Sequence, residues 1–162
     1  MDLPNSVSWT PRDDAELTAA WRLWLELSAR AWPGSTWDGT PADAVRPLRD
    51  LVAVCNEIHS DYLADCPRRP GPRGEPPDPH GERPGSRGEL VKLLQSLIFV
   101  AIWPLELWSD DERPLDADRA ALLHTDLSAF AEYAAGVRSV LARGGGWTDI
   151  DATCNPMAPP AD

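Results

Sequence analysis

Lysine is nearly absent from this chain. Of the 15 basic residues only Lys92 is a lysine, against 26 acids, which leaves a formal charge of -11. That field repels a polyanion, so nucleic acid is not a favoured partner, while a basic surface or peptide is attracted. Cysteine is scarce too. Cys55, Cys66 and Cys154 are odd in number and form no CxxC pair, so nothing points to a disulfide framework or a thiolate zinc site, and a Cys55–Cys66 bridge has no support beyond the presence of the two residues. There are three histidines and no HExxH, so neither a metal nor a cofactor is expected. P-loop, GxGxxG and GxSxG patterns are missing, and with them the commonest phosphate, dinucleotide and serine-nucleophile chemistries. The first residues, MDLPNSVSWTPRDD, carry neither a basic nor an apolar secretory region. Reduced thiols and a cytoplasmic location follow as the expectation.

The chain also lacks a long hydrophobic run. Its most apolar stretch, LVKLLQSLIFVAIWPLELW at 90–108, holds 13 uncharged residues between Lys92 and Glu106. A bilayer span asks for roughly 18 or more. The stretch is therefore read as a buried core helix, with no membrane partner.

What is present is helical punctuation. TPRD at 10–13 and TPAD at 40–43 each offer a Thr cap, Pro at the first helical position and Asp at the third. SRGE at 86–89 has the form of a capping box, and Asp116 caps the segment that follows. Each start precedes an apolar stripe at alternating spacings of three and four. The first helix, from about Pro11 to Ala31, carries Leu17, Ala20, Trp24 and Leu27, with Trp21 widening the stripe. The second carries Leu48, Leu51, Cys55, Ile58 and Tyr62, and Pro47 either kinks it or marks its true start. The third carries Leu90, Leu94, Leu97 and Ala101 and is apolar nearly all round, the pattern of a helix buried on every side. Pro104 kinks or ends it. The fourth runs from Ala120 through Leu123, Leu127, Phe130, Ala134 and Val137 to Leu141, and RGGG stops it.

Between the second and third helices lies a Pro/Gly/Arg-rich segment, 65–87, with seven of the 17 prolines. It has too few apolar side chains to join a core and reads as a flexible loop. The fold class is therefore all-α, with an antiparallel four-helix bundle as the expected architecture. One domain covers 1–150, and a disordered tail covers 151–162.

Functional candidates come from three features. Eight tryptophans are the first. In an up-and-down bundle Trp32, Trp37, Trp103 and Trp108 gather at the pole that also carries the acidic loop with Asp110 and Asp111. Trp9 and Trp147 meet at the other pole. Aromatic rings beside acids would hold a cationic group by cation–π contact. The second is RAALLH, Arg119 to His124, an R-x4-H pattern that resembles the HEPN ribonucleases. That resemblance implies metal-independent RNA cleavage with Arg119 and His124 as catalytic residues. The third is Glu57 and Asp61, an i, i+4 carboxylate pair on one helix face. The leading expectation is a non-catalytic, acidic interaction module, an adaptor, regulator or inhibitor of another protein. The alternatives are a HEPN-like ribonuclease and a small-molecule-binding bundle. A homodimer is compatible with the apolar content.

Overall fold

The structure, a computed structural model, describes residues 8–30, 39–65 and 88–147. It is all-α. Five helices and no strand occur among the described residues: α1 (Asp14–Ala29), α2 (Pro41–Ala44), α3 (Arg46–Asp65), α4 (Glu89–Trp108) and α5 (Ala117–Gly145). The 66–87 segment and the 151–162 tail lie outside the described residues, as do Cys66, Cys154, Trp32 and Trp37.

Two starts are those read from the sequence. Thr40 accepts from the Asp43 N–H at 3.2 Å, with Pro41 in the first turn of α2. Asp116 accepts from the Arg119 N–H at 2.9 Å. Two differ. The cap of α1 is Asp13, which accepts from the Glu16 N–H at 2.8 Å, so the helix begins three residues later than the Thr10–Pro11 signal placed it. The cap of α4 is Gly88, with no side-chain bond, rather than Ser86. The expected second helix is divided. α2 is a single turn, Val45 ends it, and Pro47 falls in the first turn of α3, where its missing N–H has no helical partner to lose. Pro104 does not end α4, which continues to Trp108. α5 closes on Gly146 in the left-handed region (φ 69°), and the Trp147 N–H returns to the Ala142 carbonyl at 2.8 Å.

α1 and α4 each pack mainly against α3 and α5. Contacts at the helix ends set the directions. Arg30 donates to the Pro47 carbonyl (3.4 Å), joining the end of α1 to the start of α3. The Ala42 N–H donates to the Asp111 carbonyl (3.3 Å) and Arg49 to the Ser109 carbonyl (3.4 Å), joining the start of α3 to the end of α4. α4 therefore runs opposite to α3. At the other pole Trp147 meets Trp9, Trp21 and Trp24, with ring centroids 4.8–6.3 Å apart, so the end of α5 lies at the start of α1.

The interior is built largely from the predicted stripes, with two differences in α1: Leu23, outside the predicted stripe, is buried, and Trp21, expected to widen it, is 38% exposed. Leu23, Leu27, Leu48, Leu51, Ile58, Leu94, Leu97, Phe130, Val137 and Leu141 are all buried. Cys55 is among them, and burial pushes its thiol up to about 12, which keeps it protonated and non-nucleophilic at neutral pH. One stripe behaves otherwise. α4 is not buried all round: Phe99 is 69% and Trp103 64% exposed, and Ile102 and Leu107 are exposed with them. Among the described residues the main neighbours of α4 lie on its α3 and α5 sides, and none of them covers its outer face. The helix is 20 residues long and an 18-residue window of it has a mean hydropathy of 1.7, so by length and composition alone it meets the measure of a bilayer crossing that the count of 13 uncharged residues did not. Its other face nevertheless contributes Leu90, Leu94, Leu97 and Ala101 to the interior.

Candidate functional site

The expected tryptophan–acid pole assembles differently from its reading in the sequence. Trp103 and Trp108 are five residues apart, about 140° around the helix at about 100° per residue. Trp103 faces outward. Trp108 is 6% exposed and turned inward, and its Nε1 donates to Asp126 Oδ2 at 2.8 Å. The two rings do not form one surface. Trp32 and Trp37 fall outside the described residues.

Asp111 is engaged as well. Its carboxylate accepts from Arg113 Nε and Nη2 (3.0 and 2.9 Å) and pairs with Arg119. The hydrogen bonds from Arg113, with those from Arg119 behind them, hold it well below the usual carboxylate range. Arg119 lies 5.8 Å over the Trp108 ring and donates to the Pro114 carbonyl at 3.0 Å. The cation that this aromatic–acid arrangement was expected to recruit from a ligand is supplied by the chain itself. Asp110 remains exposed, beside Glu106 and Glu112 on an open acidic recess.

These contacts bear on the R-x4-H pair. Arg119 has its guanidinium packed under the loop, whereas His124 is exposed, with Nε2 3.4 Å from Ser128 Oγ. The two side chains do not open on one groove. Arg119→Ala is expected to lower unfolding free energy by about 1–2 kcal/mol, since it removes a desolvated cation–π contact and a carboxylate partner. His124→Ala is expected to stay within about 0.5 kcal/mol. Urea titrations of the two variants check both values, and equal stabilities would show that the Arg119 contacts contribute nothing.

The carboxylates of Glu57 and Asp61 clamp Arg22 of α1 (3.0 and 2.8 Å) and bridge two helices across an exposed seam. Among the described residues no group of three or more His, Cys, Asp or Glu side chains is placed to hold a metal ion.

One concavity did not come from the sequence reading. Phe99, Val100, Ile102, Trp103 and Pro104 of α4 and Asp126, Ala129 and Phe130 of α5 line a groove of about 470 Å³. Its floor is almost wholly apolar, with Asp126 as its one charged group. Leu122, one turn before Asp126 on α5, is exposed beside it. No family model, curated protein or solved structure matches this chain. The groove must therefore be judged on its own chemistry. A sequence signal for it existed. Phe99 lies nine residues after Leu90, about 180° around the helix, and Ile102, Trp103 and Leu107 extend a second apolar stripe on that side. The uniform apolarity of the segment masked it.

Proposed function

We propose that this chain is a non-catalytic, acidic helical interaction module, acting as an adaptor, regulator or inhibitor by receiving another protein in the α4–α5 groove. In this reading α1, α3, α4 and α5 form an antiparallel four-helix bundle within one domain over 1–150, and the protein works in the cytoplasm. The carrying observation is the outward pair Phe99 and Trp103, two large aromatic side chains largely in water. Contiguous exposed apolar surface of this kind marks an interaction site more often than it occurs idly. Tryptophan and other aromatics are also the side chains that anchor interfaces. Trp103 and Asp110 are retained from the residues singled out in the sequence, and Phe99, Ile102 and Leu107 replace the inward-facing Trp108 and Asp111. The engagement of Arg119 weighs against the ribonuclease alternative. The groove is open rather than enclosed, which weighs against a small-molecule cavity.

The test is a photoreactive residue placed at Phe99, compared with one at Glu57 on the α1–α3 seam, in the native host. Phe99 is expected to yield one adduct of defined mass, and Glu57 is not. Phe99→Ser/Trp103→Ser is expected to abolish a second-site adduct from Leu122 while stability stays within about 2 kcal/mol. Equal, diffuse labelling from both positions would remove the docking face.

A further inference from the structure

The groove carries a charge pattern that selects its occupant. Resting on the docking reading above, we infer that the partner segment is a basic amphipathic helix, with three apolar anchors inside two turns and arginine or lysine along their flank. Phe99 to Leu107 spans eight residues, about 12 Å along α4 at about 1.5 Å per residue. Helices that bind in grooves present anchors at i, i+3 or i+4 and i+7, which match that length.

The rim is acidic. Asp126 lines the groove and accepts from a neutral donor, the Trp108 N–H. Glu106 and Asp110 continue the outer side of α4. Among the described residues none of these three carboxylates has a cationic partner within ion-pair distance. The one cation on this face of α4, Lys92, sits at its far end and is paired with Glu89 at 2.8 Å. A basic flank therefore meets carboxylates whose charge has not been neutralised.

The same pattern disfavours the other occupants. In a two-fold dimer the same patch faces itself, so two acidic rims would meet, and each chain already carries -11. An anionic lipid surface is repelled for the same reason.

Two fluorescein-labelled peptides of about 18 residues, long enough to hold a helix, test this. They share one leucine stripe, and one carries arginine where the other carries glutamate. Fluorescence anisotropy against the full chain is expected to show the arginine peptide binding at least tenfold more tightly, with affinity falling as salt rises. Phe99→Ser/Trp103→Ser should abolish that binding. Asp126→Asn, which keeps an oxygen for the Trp108 N–H, should weaken the arginine peptide alone. If both peptides bind equally and both are lost in the double variant, the basic partner class is wrong and the docking groove stands. A dimer in sedimentation equilibrium that dissolves in the double variant makes a second copy the occupant and overturns the inference. Sedimentation with phosphatidylcholine vesicles through the same two residues makes it a lipid surface. No peptide binding, no dimer and no vesicle binding would overturn both the inference and the docking reading.

Discussion

Glu16→Ala is expected to cost about 2–4 kcal/mol, a large share of the stability of a domain this size. Glu16 is the one charged side chain among the fully buried described residues, at 0% exposure. Its carboxylate joins several elements. Oε1 accepts from Trp9 Nε1 at 3.2 Å, and Oε2 accepts from the Arg12 N–H at 3.0 Å. The group also lies against Gly88, where a Cβ would run into it, so it sits beside the start of α4 as well as in the first turn of α1. Negative charge at two helix N-termini is favourable. Alanine would leave the buried Trp9 N–H without its acceptor, a penalty of about 1–3 kcal/mol before relaxation, and would also remove the part-buried bond to the Arg12 N–H. Glu16→Gln retains one oxygen and is expected to cost about half as much. Urea unfolding followed by tryptophan emission is a suitable measurement, because Trp9, Trp21, Trp24 and Trp147 surround this pole. A double-mutant cycle sharpens the result. Gly88→Ala should destabilise the parent chain, and the penalty should shrink in the Glu16→Ala background, where the obstructing carboxylate is gone. A cost below about 0.5 kcal/mol for Glu16→Ala would show that the carboxylate does not organise this pole.

The second large effect separates the two faces of α4. Leu97→Ala is expected to cost about 2–5 kcal/mol, through lost burial and an unfilled cavity. Leu97 is 1% exposed, in the core with Leu94 and Ala101. Phe99→Ala, two residues away and a larger truncation, is expected to stay within about 1 kcal/mol, because most of that ring is already in water. Paired urea titrations with equal m-values test the contrast. Similar losses at both positions would mean that the outer face of α4 is covered in solution, and the docking face would have to be withdrawn.

Local signals were the most legible part of this protein. Thr40–Pro41 and Asp116 start helices as their side-chain chemistry implies, since a cap bonds only its own first turn. Gly146 ends α5 because it alone adopts a positive φ there. The stripes Leu48–Tyr62 and Leu123–Leu141 came out buried, because 3.6-residue periodicity alone brings those side chains to one face. The α1 cap was misplaced by three residues: TPRD and the DDAE that overlaps it at 13–16 are both valid starts, and the choice depended on Trp9 and Gly88 enclosing Glu16.

The candidate site was less legible, since it depends on which neighbours a helix has. From the sequence Arg119 could be a catalytic cation or a structural one, and the position of Trp108 and Asp111 beneath it decided the matter. Uniform apolarity over Leu90–Leu107 could mean burial on every side or burial on one side only. By itself the sequence determined an all-α chain, the helical stripes and a strongly acidic charge, because composition and helical period require no partner. Only the tertiary structure decided which stripe of α4 stayed in water, because burial is a relation between elements, and among the described residues α3 and α5 cover one side of that helix and leave Phe99 and Trp103 exposed on the other.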